Sequence, residues 1–132
     1  MNKIEESPKS RPMSPHLQIY RPTISMVMSV MHRLTGLALY VGVGFLLFWF
    51  ASILLGQNFY LFFTKIMQSF IIQIVFFLFT WAFFHHMFGG IRHFIWDLGF
   101  GFDLKSVDIL SSLTLILSFF STILLFFYNL SN

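Results

Sequence analysis

The sequence predicts an all-α integral membrane protein with three transmembrane helices, and two observations carry that prediction. Of 132 residues, 57% are hydrophobic and only 10% are charged, with 20 phenylalanines and a mean hydropathy of +0.78. A soluble domain carries about 25% charged residues. The second observation is where the charges stand. Lys3, Glu5, Glu6, Lys9, Arg11, Arg21 and Arg33 lie at the front, Lys65 is alone, and Arg92, Asp97, Asp103, Lys105 and Asp108 cluster past the middle. A charge at the bilayer centre costs about 3 kcal/mol or more. The charge-free runs 34–64, 66–91 and 109–132 are therefore the membrane-spanning candidates, each longer than the ~20 residues a spanning helix needs.

Taken in order, residues 1–22 are a mixed-charge, proline-bearing stretch that reads as an extended segment on the inner membrane surface, because each proline biases its predecessor away from the α region. It has neither the long apolar run of a signal peptide nor the acid-poor composition of a transit peptide. Residues 23–132 form the transmembrane domain. The first span is placed at 27–55, followed by a connecting loop around Gly56-Gln57-Asn58 that runs to Lys65. The second is placed at 66–91 and the third at 109–129. Five Lys/Arg lie at the front, one in the first loop, two in the second and none at the end. The positive-inside rule then sets the N-terminus on the matrix or cytoplasmic side, in a mitochondrial inner membrane or a bacterial plasma membrane. The third span holds no ionisable group except an interfacial tyrosine and reads as structural. The chain has no cysteine, which excludes disulfides, zinc fingers and thiolate-held iron–sulfur clusters and leaves histidine or carboxylate as metal ligands. The lipid bilayer, and no nucleic acid, is the expected surrounding.

Polar residues within the spans demand a reason. His32 with Arg33 at the start of the first helix, and His86 with Arg92 and His93 at the end of the second, are expected at one depth near the inner interface. Histidine inside a membrane helix is a functional candidate, although a single one is as readily an interhelical hydrogen bond. His86 and His93 stand seven residues apart, on one face two turns apart, with Gly89 and Gly90 between them. Glycine there removes bulk, so a flat macrocycle can lie against the helix, or another helix can pack closely. His85, rotated by about 100°, cannot share the role of His86. Ser25, Ser29, His32 and Arg33 make a polar stripe, able to donate hydrogen bonds to a carbonyl oxygen or to pair with a propionate. Ala38 and Gly42 have the small-xxx-small spacing of a helix contact. Phe48, Trp49, Phe76, Phe77, Phe119 and Phe120 read as packing or lipid-facing residues.

Three motifs in register, Arg11-Pro12-x-Ser14-Pro15-His16-Leu17-x-Ile19-Tyr20-x-Pro22, Ser29-x-x-His32-Arg33-x-Thr35-Gly36 and His86-x-x-x-Gly90-Ile91-Arg92-His93-x-x-Trp96-Asp97-x-Gly99, resemble the cytochrome b membrane-anchor subunit of succinate dehydrogenase, respiratory complex II. The resemblance covers residues ~11–130 and implies pairing with a second small membrane-anchor subunit in a helical bundle. It implies haem b with His86 as an axial ligand of the haem iron, the other ligand coming from that partner. It further implies His32, Arg33 and His93 around the propionates, Gly90 packed near the haem, and ubiquinone beside Ser29 and Arg33. An iron–sulfur subunit and a flavoprotein subunit would complete the assembly. No catalytic residue is expected in this chain, and no activity from it in isolation. Three other readings come from the residues alone: a cofactor-free structural subunit of another respiratory or transport complex, a self-contained cytochrome ligated by His32 and His86, and a histidine-bound metal site. The last is weakened by the ~10 Å that separates His86 from His93 along a helix.

Overall fold

A computed structural model describes residues 21–131, so the segment 1–22 expected at the inner surface lies almost wholly outside the described residues. Four helices follow in order: α1 Ile24–Leu54, α2 Gln57–Met67, α3 Phe70–Asp97 and α4 Leu104–Ser131. Three of them, α1, α3 and α4, are long and apolar enough to cross a membrane. At a rise of 1.5 Å per residue, the 31, 28 and 28 residues of these helices exceed the hydrocarbon thickness. Their ends therefore reach past it. That is why α3 runs on to Asp97 and α4 begins at Leu104, beyond the predicted limits of 91 and 109. Residues such as Arg92 and Lys105 break a hydropathy run without breaking a helix.

The expected loop between the first two spans is mostly helical, which corrects the sequence reading. Gly56, at φ 100°, ends α1 and caps α2. Phe63 of α2 is buried, its ring 6.1 Å from Phe45 and 5.7 Å from Phe48 of α1. Burying that face stabilises an 11-residue helix that would be marginal alone, and Lys65 sits in its last turn where the helix dipole favours a cation. A cavity of about 410 Å³ lies where α1, α2 and α3 meet, walled by residues including Phe45, Trp49, Phe63, Phe76 and Phe79.

Helix starts follow side-chain capping. Thr23 accepts from the Met26 amide at 3.4 Å and Ser69 from the Ile72 amide at 3.4 Å. α3 is stopped just past its C-cap Leu98 by Gly99, φ 87°, whose amide donates to the Trp96 carbonyl at 2.8 Å. The indole of Trp96 then donates to the Gly101 carbonyl at 3.2 Å, clipping the turn into α4.

The arrangement of burial is that of a protein in lipid. Among the described residues the buried apolar side chains are Met28, Phe63 and Ala82, whereas Thr35, Ser52, His85, Arg92, Ser111, Thr114, Ser118 and Thr122 are buried polar ones. Large apolar side chains face outward, including Leu54, Phe70, Leu104 and Phe127. α3 is the central helix, packed most extensively on α4 and next on α1. On α4, the span read as structural, Ser111, Thr114, Ser118 and Thr122 make a stripe of small side chains that brings the helix backbones together. Three of those hydroxyls donate to carbonyls of their own helix, Thr114 to Leu110 at 2.8 Å, Ser118 to Leu115 at 2.8 Å and Thr122 to Ser118 at 2.7 Å. On α1, Gly42 is the close contact with α3 that its spacing suggested. A Cβ there would overlap the ring of Phe79.

Two predictions follow from this packing. Gly42→Ala forces Phe79 to move and is expected to destabilise the α1–α3 pair by about 1–3 kcal/mol, measured as a lower thermal midpoint in detergent; Gly44→Ala, where a Cβ meets nothing within 4 Å, serves as control. At the start of α4, Asp103 accepts from the Ser106 amide at 3.0 Å, and the Ser106 hydroxyl and amide hold its carboxyl below the ordinary aspartate range. A lowered carboxyl stabilises the folded state above its unfolded pKa, and that contribution is lost as pH falls through the lowered value. Protection of the Ser106 amide, its exchange relative to the intrinsic rate at the same pH, is therefore expected to fall on acidification, and that fall to be absent in Asp103→Ala.

Candidate functional site

α3 presents two chemically distinct faces. His86, Gly89 and His93 recur at i, i+3 and i+7 toward α1, whereas Trp81, His85 and Arg92 line the side that meets α4. The sequence pattern of two adjacent histidines thus places one on each face.

Toward α1, the rings of His32 and His86 stack with centroids 4.1 Å apart and planes within 1°. His93 is 5.2 Å from His32, tilted by 50°. Each stacked ring sits where the opposite helix has a glycine. A Cβ on Gly89 would overlap the His32 ring, and one on Gly36 would lie 2.9 Å from Cε1 and 3.4 Å from Nδ1 of His86. The two helices therefore lock reciprocally, each giving a ring and receiving one. His86 Nδ1 lies 3.1 Å from the His32 carbonyl oxygen. A carbonyl only accepts, so Nδ1 carries the proton and the lone pair of the neutral ring is on Nε2. The Thr35 hydroxyl, 3.5 Å from the same nitrogen, donates to the Met31 carbonyl at 2.9 Å or the His32 carbonyl at 3.0 Å, which leaves its oxygen as a second acceptor for Nδ1–H.

The structure brings together His32, His86 and His93, three of the residues expected at one depth. Ser29 is half-buried one helical turn before His32, and Arg33 and His93 are exposed. Gly90 is next to open space, since a Cβ there would meet nothing within 4 Å, whereas the close helix approach falls at Gly89. Arg92 does not join the histidine group on its face. It is 3% exposed between α3 and α4, donating to the Ser111 hydroxyl at 3.1 Å, with its guanidinium carbon 5.0 Å from the Trp96 ring centroid. Six residues of helix turn it well away from His86. His85 is wholly buried on that side, stacked on Trp81 at 5.2 Å, with neither ring nitrogen hydrogen-bonded.

Sequence reasoning missed what Thr35 and Gly36 do. Both stand in the motif Ser29-x-x-His32-Arg33-x-Thr35-Gly36, and their i+3 and i+4 offsets from His32 were the available signal. It also missed the α4 hydroxyl stripe, whose signal was the 3-4-4 spacing of Ser111, Thr114, Ser118 and Thr122.

The profile of the succinate dehydrogenase/fumarate reductase transmembrane subunit family matches residues 7–125. The chain belongs to this family. It is 40% identical over 122 residues to the succinate dehydrogenase cytochrome b556 subunit of Rickettsia bellii, covering 92% of this chain and 94% of the relative. It is 40% identical over 121 residues to the cytochrome b560 subunit of Chondrus crispus, covering 83% and 93%, and 30% identical over 96 residues to the cytochrome b556 subunit of Paracoccus denitrificans, covering 73% and 74%. As a member of this family it is a membrane-anchor subunit of complex II, part of an oxidoreductase assembly held in a membrane with other subunits. The reading as a subunit of some other transport or respiratory complex is not favoured.

The α3–α4 face gives its own prediction. Removing a guanidinium that makes a charged hydrogen bond and a ring contact in a buried interface is expected to cost about 2 kcal/mol. Arg92→Ala should accordingly lower the thermal midpoint of the detergent-solubilised assembly, and Ser111→Ala should lower it by less.

Proposed function

We propose that this anchor carries half of a haem b site and part of a ubiquinone site, and so passes electrons from succinate oxidation into the membrane. The observation that carries the reading is His86. Its Nδ1–H is engaged by the His32 carbonyl, so Nε2 is the unprotonated nitrogen that an iron ligand must offer. The ring environment fits the group in other respects. Gly90, beside open space, gives room along the same helix face, His32 and His93 offer ring nitrogens as hydrogen-bond donors, and the exposed Arg33 supplies positive charge for propionates. A second ligand for the iron would come from the second small anchor subunit. The alternative in which His32 and His86 ligate one haem within this chain is disfavoured by the parallel stack, which turns ring faces rather than nitrogens toward each other.

The haem, when bound, supplies a one-electron centre whose potential is tuned by its ligands and their hydrogen bonds. The rest is done by side chains of this chain. On reduction a quinone carbonyl oxygen gains negative charge before it takes a proton. The Ser29 hydroxyl and the Arg33 guanidinium, one turn apart near the inner end of α1, donate hydrogen bonds to that oxygen and lower the cost of the charge. The iron–sulfur subunit lies over this end and the flavoprotein beyond it, where succinate is oxidised. The Lys/Arg excess at the front of the chain supports the reading that this end of α1 is the inner one.

A reduced-minus-oxidised absorption spectrum of the purified assembly tests the haem reading. A b-type α-band is expected in the wild type and absent in His86→Ala; a band that persists overturns the ligand. For the quinone, Ser29→Ala or Arg33→Ala is expected to slow succinate-to-ubiquinone turnover by about tenfold or more while succinate oxidation with a soluble artificial acceptor is unchanged. Equal loss of both activities defeats that assignment.

A further inference from the structure

We infer that the backbone carbonyl of His32, the Thr35 hydroxyl and the Gly36 notch together form a seat on α1 that fixes the tautomer and plane of the His86 ring, making Thr35 and Gly36 positioning residues for the axial ligand. This rests on the reading of His86 as that ligand. Three contacts converge on one edge of one ring. Nδ1 is 3.1 Å from the His32 oxygen and 3.5 Å from Thr35 Oγ1, and the place where Gly36 lacks a side chain is 2.9 Å from Cε1.

Each contact has a separate physical consequence. The carbonyl, which can only accept, forces the proton onto Nδ1 and the lone pair onto Nε2. Thr35 is 3% exposed, and its hydroxyl has a carbonyl of its own helix to donate to, so toward Nδ1–H it serves as an acceptor. One of the two own-helix carbonyls in its reach is that of His32, at 3.0 Å, and donation there holds that oxygen in place. Gly36 sets the depth of the ring. Any side chain there meets Cε1 at a separation that real Cβ atoms do not tolerate, so the ring must lift or swing. The stack on His32, within 1° of parallel, fixes the remaining rotation about χ2. A histidine that ligates a metal commonly donates its other N–H to a carbonyl, which orients the ring and raises its basicity, and disturbing such a partner weakens ligation by about 10–100-fold. Here the partners come from α1, whereas the ligand comes from α3. Ligation by α3 then depends on how closely α1 packs against it.

The test uses the intact membrane complex and carbon monoxide as probe, because a firmly ligated six-coordinate haem does not bind it and a loosened one does once reduced. Gly36→Ala is expected to lower haem content about tenfold and to leave the residual reduced haem reactive toward carbon monoxide, while Gly44→Ala behaves as wild type. Thr35→Ala is expected to retain haem but to raise the fraction that binds carbon monoxide about tenfold, and Thr35→Ser, which restores the hydroxyl, to return it to the wild-type level. Should Gly36→Ala not assemble, the Thr35 pair decides the question. Wild-type haem content and no carbon monoxide binding in both Gly36→Ala and Thr35→Ala overturn the inference while leaving His86 as ligand. A b-type band in His86→Ala instead overturns the ligand reading on which the inference stands.

Discussion

Two imidazoles seated in two glycine gaps hold α1 against α3, and the site is built around that lock. His32 fills the space at Gly89 and His86 fills the space at Gly36, with the rings stacked between the helices. In water a polar ring could find partners anywhere on the surface. In hydrocarbon a buried donor must be met by protein or remain costly, so each polar group here either turns to its own backbone, reaches across to another helix or stays without a partner at the cost of stability. His86 reaches the carbonyl of His32, Arg92 reaches Ser111, and the α4 hydroxyls turn back on their own helix.

The same constraint explains why α3 is the working helix. It packs between α1 and α4 and has one polar face for each. The face toward α1 brings His86 and His93 together with His32 near the N-terminal end of α1, where Arg33 and Ser29 are also found. The face toward α4 holds His85 and Arg92 buried with Trp81 and Trp96. A single residue of offset separates His85 from His86, and 100° of helix rotation turns that offset into two environments. One ring is tied by hydrogen bonds; the other is enclosed with both nitrogens unpaired.

Further from the histidines, the fold is finished by local devices of ordinary strength. Thr23 and Ser69 start α1 and α3, Gly99 ends α3, and the Trp96 indole clips the turn that follows. Thr23, Gly99 and the Trp96 clip set the helix ends nearest the histidine group, whereas Ser69 sets the opposite end of α3. The short α2 does the corresponding work at the other end, covering Phe45 and Phe48 with Phe63.

The sequence by itself determined the helical class, the number of spans and the depth at which the polar residues gather, because charge is so costly in hydrocarbon that its positions mark the spans directly. It also determined that His85 and His86 face different ways, since helical rotation depends on nothing but spacing. The tertiary structure decided what spacing cannot express. That α2 is a helix depends on Phe63 finding a place against α1, a long-range contact absent from its local composition. That Arg92 turns toward Ser111 rather than toward the histidines depends on which helix packs on which face of α3. That Thr35 and Gly36 serve a ring 51 and 50 positions away in the chain depends on the crossing of α1 with α3. Periodicity reports which residues share a face, but only the packing of helices in three dimensions determines what that face meets.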